Sequence, residues 1–375
     1  MNLQQLSQTY GDFYIPAFVV KAGTDDVVRD LFLTVTGVEV DLKDKGASNF
    51  SFNIASAFDW EKRQFVARKQ EERIDLLDLF AFGSPIEISL GYGEPSRLKV
   101  MLKGIVTEIG TSFTSGAPEL KISGFDELYT LGIGKNTKHW EESYDSDAVR
   151  ELVSALKPSA NIVKTELKNP RIDQNEESDL AFIEKLAGRN TGVAYYIRDD
   201  KFYFGPRHDK GSAAVDLVWG EGLLSFSPQV KLAKQVTEVV VYGRSAVKGE
   251  EIFGMARRGD VGGSDKKGES GAERLAKALK NPSTMKVRMA LRSQEEADTR
   301  AKAILDERSR DFVTGDGESV GIPEIIPDIN ITLQGMGERF SGKNDIPIPY
   351  YVSEATHKLD SGGYRTTFKI EDSRK

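Results

Sequence analysis

Apolar and polar positions alternate between residues 31 and 58. In "NFSFNIASAF" Phe50, Phe52, Ile54 and Phe58 fall on one side, with Ser51 and Asn53 on the other; "GVEVDL" does the same with Val38, Val40 and Leu42. A period of two with an aromatic face predicts half-buried strands. The next segment, "DWEKRQFVARKQEERIDLLDLF", carries charges without that period and predicts a helical or irregular excursion. "SPIEISLGYG" and "LKVMLKGIVTEIG" predict a strand pair with Gly91 and Gly93 near the turn, and "PELKISGFDEL" closes the group. Around residue 135 the period changes. "DSDAVRELVSALKP" sets Val149, Leu152, Val153 and Leu156 on one helical stripe, capped by Ser146 or Asp147 and stopped by Pro158. "ESDLAFIEKLAGRNTG" predicts a second helix through Leu180, Ile183 and Leu186, with Asp179 in its first turn and Gly192 after its end. A hairpin follows in "VAYYIRDDKFYFGP", turning at Asp199–Asp200. From about 216 strands return. "QVTEVVVYG" is apolar on both faces and predicts a central strand. Residues 254–271, rich in Gly and charge, predict a long mobile loop. Residues 293–310 predict a helix with a Ser293–Glu296 capping box and a stripe of Ala297, Ala301, Ile304 and Leu305.

One pattern recurs. "GIVTEIGTSFTSGAPELKIS" begins at Gly104, and "YYVSEATHKLDSGGYRTTFKIE" begins at Tyr350; both run V-[T/S]-E, then S-G, then K-I. "IEISLGYG" from Ile86 precedes the first copy and "INITLQGMG" from Ile329 precedes the second, each giving I-x-I-x-L and then paired glycines. Hairpins of like composition would account for one such pair. Two pairs in the same order at nearly equal spacing favour two similar antiparallel β-barrels flanking the α/β unit. The expected fold is therefore α+β and mainly β: a first β-barrel tube domain over 1–134, an α/β insert of two helices and a hairpin over 135–215, and a second barrel over 216–375 that carries the loop 254–271 and the helix 293–310.

With 375 residues the chain is long enough for two or three domains. No apolar run approaches the ~20 residues that cross a bilayer, and the N-terminus lacks the basic start and apolar block of a secretory signal. The net charge of −7 argues against a chain that grips nucleic-acid phosphates, and no specific nucleic-acid binding is expected. The absence of cysteine excludes disulfides, thiolate metal sites and thiol nucleophiles. His139, His208 and His357 stand far apart without metal-ligand spacing; His357 is a surface or packing residue. "GMGERFSGKN" approaches a phosphate loop from Gly337 to Lys343, but Asn344 replaces the hydroxyl residue and Pro347 and Pro349 forbid the helix such a loop must open. "EESYDSD" lacks calcium-loop spacing and caps a helix. Arg258–Asp260 spell a tripeptide common by chance, and no G-x-S-x-G elbow occurs. No catalytic, cofactor-binding or metal residues are expected, and a chain of this size without a catalytic constellation predicts a scaffold.

"LFAFGSPIEISLGYG", "LKGIVTEIG", "KISGFDELYTL", "ESDLAFIEKLAGRNTGVAYYIRDDKFYFGP", "KQVTEVVVYG", the Ser293 helix and "PYYVSEATHKLDSGGYRTTFKIE" together resemble the late control D family of phage baseplate hub proteins, related to the N-terminal hub region of VgrG spike proteins. The resemblance spans nearly the whole chain in the family's order. It implies a homotrimer whose paired barrels form a pseudo-sixfold ring joining a hexameric tail tube to a trimeric spike. It also implies other baseplate proteins as partners, assembly in the bacterial cytoplasm, and a place in a virion tail or injection-particle baseplate. VgrG chains continue into an OB-fold and a β-helical spike, whereas this sequence stops at Lys375, so a separate spike protein is expected. Residues 61–75 and 254–271 are candidates for partner contacts. The alternatives are a baseplate-associated glycan-cleaving enzyme, which needs two carboxylates across a cleft, and a carbohydrate- or receptor-binding module. A tail-tube protein would be a shorter, single-barrel chain.

Overall fold

The computed structural model describes residues 1–69, 72–113, 116–244, 249–260, 269–279, 283–343 and 346–373. Helix α1 (Leu3–Tyr10) opens the chain. The Asn2 side chain accepts the Gln5 N–H, the Gln5 side chain accepts the Asn2 N–H, and Gly11 ends the helix in the left-handed region. The first lobe contains β1 (Pro16–Ala22), β2 (Thr34–Lys43), β3 (Asn49–Ala55), the short β4 (Gln64–Lys69) and β5 (Glu72–Asp75), then β6 (Pro85–Tyr92), β7 (Lys99–Ser112) and β8 (Glu119–Phe125). Its order is β1-β6-β7-β8-β3-β2, each neighbour antiparallel. The α/β insert follows with β9 (Asn136–Tyr144), α2 (Asp145–Leu152), β10 (Ser159–Ile162), β11 (Lys168–Glu177), α3 (Asp179–Ala187), β12 (Val193–Arg198) and β13 (Lys201–Pro206). Asp199 and Asp200 both take positive φ in the β12–β13 turn, the backbone that a two-residue hairpin demands.

The second lobe starts with β14 (Ala213–Trp219) and β15 (Gly222–Val230). A second α/β unit interrupts it: β16 (Glu238–Arg244), β17 (Glu251–Arg257), α4 (Gly271–Leu279), β18 (Thr284–Arg288) and α5 (Gln294–Arg310). It resumes with β19 (Val313–Val320), β20 (Ile329–Gln334), β21 (Pro349–Asp360) and β22 (Gly363–Asp372). The order is β14-β20-β21-β22-β19-β15, and β15 returns to β14, so this barrel closes.

The two lobes share one plan. Strands β1, β2, β3, β6, β7 and β8 occupy the places of β14, β15, β19, β20, β21 and β22. The match extends to single residues. Between β7 and β8 the ladder passes from Val106–Gly124 to Glu108–Ser123 and leaves Thr107 as a bulge. Between β21 and β22 it passes from Val352–Ile370 to Glu354–Lys369 and leaves Ser353. The repeated V-[T/S]-E is thus a β-bulge, 246 positions apart in the two lobes (107 to 353), an extra residue that bends and coils a strand. A second bulge recurs at Thr36 of β2 and Leu224 of β15. Before each V-[T/S]-E lies a left-handed residue, Gly83 (φ 87°) or Asp328 (φ 64°). Its N–H donates to the valine carbonyl, Gly83 to Val106 at 2.8 Å and Asp328 to Val352 at 2.9 Å.

The main core of the first lobe gathers Phe50, Phe52, Phe80, Ile88 and Ile122, and takes in Leu359 and Tyr364 from the second lobe. The second core gathers Leu217, Phe312, Ile331, Tyr350 and Phe368 around Leu6 of α1. Tyr10 and Phe13 touch both cores. Each fully buried Leu, Phe or Ile contributes about 1.5–3 kcal/mol, so the shared residues tie the lobes energetically.

The structure is α+β and mainly β, with two similar barrel-like lobes, as the alternation predicts. It departs from the sequence reading at several places. Among the described residues the first lobe has no ladder between β1 and β2, so its ring of strands is open at that seam. The second barrel is not wholly antiparallel, because β14 runs parallel to both β15 and β20. Residues 1–10 belong with the second lobe: the Met1 ammonium donates to the Ala214 carbonyl, and Asp216 N–H donates to the Met1 carbonyl. The charged segment after Phe58 forms strands, since Phe65 and Ala67 turn inward on a true period of two that the outward charges conceal. "TEVVVYG" is central, but in a separate three-stranded sheet with β17 and β18 on either side. Within 254–271, Gly254–Arg257 are strand, paired antiparallel with β16 and alternating in burial, and Gly254 packs its backbone against Ala297 of α5 where no Cβ would fit; residues 261–268 lie outside the described residues. Helix α3 ends at Gly188 rather than near Gly192. The capping box at Ser293 is half made: Ser293 accepts the Glu296 N–H, but the Glu296 carboxylate accepts from Arg292 N–H.

Candidate functional site

The lobes join strand to strand. Residues Pro349–Val352 of β21 pair with β20 of their own barrel. After the Ser353 bulge the same edge changes partner, and Glu354–Asp360 pair antiparallel with Gly37–Lys43 of β2. Asp44 N–H donates to the Ser353 carbonyl at 3.1 Å, fixing the hand-over.

A buried polar cluster sits beside it. Arg207, just after β13, donates through Nε at 2.9 Å and Nη2 at 2.6 Å to Asp44 Oδ2, and through Nη1 to Glu371 at 2.9 Å. Its guanidinium lies over the Tyr351 ring, 4.0 Å from the centroid. Tyr351 OH bridges Asp44 Oδ2 at 2.8 Å and Asp328 Oδ1 at 2.9 Å. Asp328 also receives Tyr196 OH at 2.9 Å and His208 N–H at 2.8 Å, and lies 2.6 Å from His208 Nδ1. Burial works against both charges of the Arg207–Asp44 pair. Asp44, Tyr351 and Glu371 nevertheless raise the guanidinium above its ordinary value, so Arg207 stays charged. Burial pushes the Asp44 carboxyl up and Arg207 opposes that push. Asp44 comes from the first lobe, Arg207 and Tyr196 from the insert, and Asp328, Tyr351 and Glu371 from the second lobe. Backbone contacts reinforce the junction: Tyr195 N–H donates to Asp44 O at 2.9 Å, and Gly46 N–H donates to Tyr195 O at 3.1 Å. The cluster locks three bodies in one orientation. Sequence spacing could not reveal it, since Arg207 and Asp44 stand 163 positions apart.

A cleft of about 680 Å³ separates β6 and β7 from the β12–β13 turn. Buried Asp126 lies against it, and burial pushes its carboxyl up to about 7. Its two oxygens accept N–H bonds from Ser48 at 2.9 Å and Leu128 at 3.0 Å, the work of a turn cap. The rim charges pair with one another: Lys103 with Asp200 and Glu87, and Lys157 with Glu127. The geometry suits an interdomain groove.

The histidines do not converge. His139 lies on β9, His208 beside Asp328, and His357 in the interior, so of the two readings for His357 the packing one holds. Among the described residues no three His, Asp or Glu gather in a metal-holding group. Gly337–Lys343 contains a single helical turn, Glu338–Ser341, and Arg258–Asp260 form one 3-10 turn. In and around 61–75, Phe58 stacks edge-on against Trp60, Phe65 and Phe113, leaving Trp60 and Phe113 exposed. The sequence reading passed over this aromatic cluster because its members are divided between a hairpin and the end of β7.

Residues 67–361 match the family described as Alg8 N-terminal domain. No curated protein matches. Among solved structures, the tail protein from Neisseria meningitidis MC58 is similar with a TM-score of 0.67 at 12% identity, covering 96% of this chain and 97% of that one. The 43 kDa tail protein of prophage MuSo2 from Shewanella oneidensis gives a TM-score of 0.67 at 12% identity over 95% of this chain and 100% of that one. The E. coli c3393 protein, a component of the type VI secretion system with structural similarity to T4 bacteriophage tail proteins gp27 and gp5, gives 0.52 at 12% identity over 94% and 76%. At such identities the likeness is one of fold, and the fold of this chain is that of these tail proteins. Because the family match covers most of its length, the chain belongs to the Alg8 N-terminal domain family.

Proposed function

We propose that the chain is a structural baseplate hub of late control D type in a contractile phage tail or phage-like injection system. It assembles in the bacterial cytoplasm as a homotrimer and becomes part of the baseplate. Six lobes from three copies form a ring that receives a hexameric tail tube on one side and a trimeric spike on the other. The observation that carries this reading is the residue-level equivalence of the two lobes, bulge for bulge, within one rigidly joined chain. Such a chain can present near-sixfold and threefold symmetry at once. The fold shared with tail proteins and a secretion-system component supports it. The hub acts by holding partners in register and performs no chemistry of its own.

Solution mass measured over a range of concentrations tests the assembly. A species near three times 41.5 kDa is expected; a monomer at every concentration, with and without a spike partner, overturns it. Purified protein is expected to leave bacterial wall glycan intact, and release of soluble fragments would overturn the non-catalytic part.

A further inference from the structure

The intrachain junction has an unmatched image at each end of the molecule. In the junction, β21 beyond its bulge pairs with β2. In the first lobe the corresponding stretch of β7, Glu108–Ser112, pairs with β8 on one side only among the described residues. In the second lobe the image of β2 is β15, which pairs with β14 only at Gly222 and Leu223. Beyond the Leu224 bulge its outer edge, Ser225–Val230, has no strand partner among the described residues. One chain thus carries both halves of a second, unmade junction.

Burial supports this. Leu42 of β2 is 6% exposed beneath β21, whereas its image Val230 is 41% exposed. Leu359 of β21 is 8% exposed, and its image Phe113 is 65% exposed. The same positions are covered where the junction exists and bare where it does not. Pro228, which has no N–H to give, stands opposite Gly315 within β15, so a strand added at that edge forgoes one hydrogen bond there.

We propose that Glu108–Phe113 of one copy pairs antiparallel with Phe226–Lys231 of a second copy of this chain, in the register that β21 and β2 already show. The bulges fix that register. Carrying Glu354–Lys43, Ala355–Leu42 and Lys358–Glu39 across by the bulge spacings sets Glu108 opposite Lys231, Ile109 opposite Val230 and Ser112 opposite Ser227. The first pair keeps the opposite charges of its intrachain model pair, and Phe113 meets Phe226. The rung between Thr111 and Pro228 holds one hydrogen bond instead of two. Because the two surfaces differ, the contact is head-to-tail, and repeating it closes a ring or grows a filament. This inference rests on the trimeric hub reading and specifies how that trimer closes.

The chain contains no cysteine, so a Ser112→Cys/Ser227→Cys variant reports the register directly; directly opposed strand residues lie within disulfide reach. Mild oxidation is expected to give covalent dimers and trimers, while each single variant gives no covalent trimer and Ser112→Cys/Gln229→Cys, on the same face of β15 but two positions out of register, gives at least tenfold less. Val230→Asp is expected to reduce the trimer to monomer with an unchanged circular dichroism spectrum and melting temperature of the monomer. A wild-type trimer that neither cross-links at this pair nor dissociates with Val230→Asp overturns the pairing and leaves the trimeric hub standing. A wild-type monomer at all concentrations overturns both. A covalent ladder running past three keeps the pairing and overturns the closed ring.

Discussion

His357 stands in the second lobe where the first carries Thr111, wholly enclosed between Tyr364, Thr366 and the Ile325 carbonyl. A carbonyl only accepts, so Nε2 holds the proton and Nδ1 accepts from a hydroxyl. Burial pushes the ring down to about 3, against the pull of the Ile325 carbonyl. The unfolded value is near 6.5. A folded value below the unfolded one means that the contribution is complete above pH 6.5 and is lost as pH falls toward 3. Between pH 7.5 and 4.5 the wild type should lose about 3 kcal/mol more stability than His357→Gln, measured by urea denaturation at both pH values. Arg207 provides a second case. Arg207→Ala strands Asp44 without its counter-charge and should cost about 3–5 kcal/mol, read as a lowered denaturation midpoint. Arg150→Ala, whose partner Asp147 is exposed, should cost no more than about 0.5 kcal/mol in the same assay.

At the level of elements, the bulges set what each strand can touch. Gly124 lies opposite Val106, where an added Cβ would sit 2.0 Å from the Ile105 carbonyl oxygen and 2.7 Å from Phe50. Gly124→Ala should therefore destabilise by about 3 kcal/mol or more. At Gly110 a Cβ meets only Lys121 at 3.8 Å and the Lys121 carbonyl at 3.9 Å, and Gly110→Ala should leave stability level or up to about 1 kcal/mol higher. Thermal melts of the pair check both. The repeat was legible in sequence because V-[T/S]-E is a local signature, but its cause was not, since a bulge exists only against a partner strand. The same limit misaligned I-x-I-x-L. Ile86 lies opposite Gly104 and Ile331 opposite Tyr350, so Ile86 corresponds to Ile331 and not to Ile329. A slip of two residues leaves every side chain on its own face, and alternation cannot detect it. Helices α3 and α5 were legible from caps and stripes, but α2 only from its stripe: it starts at Asp145 after Tyr144 without a side-chain cap, and Ser146 and Asp147, expected to cap it, lie inside its first turn. Strands β9 and β11 were not, because their ribbon is largely exposed and carries little apolar alternation.

For the whole molecule, the cores are shared more than the sequence suggested. Leu6 from the N-terminus fills the second core, and Leu359 and Tyr364 from the C-terminal strands fill the first. The two lobes should therefore melt together, with one calorimetric transition whose van't Hoff and calorimetric enthalpies agree; two separated transitions would contradict the coupling. The equivalence of the lobes also has a break. Strand β1 is antiparallel to β6, whereas β14, in the same slot, is parallel to β20. In an assembled ring the six positions would consequently alternate in character. A tube of six identical subunits is unchanged by a one-step turn, so each of its subunits would have to accept both kinds of socket in the proposed ring. Only a partner with threefold symmetry could tell the two kinds apart, so this single reversed strand would mark the ring for the spike and stay neutral toward the tube.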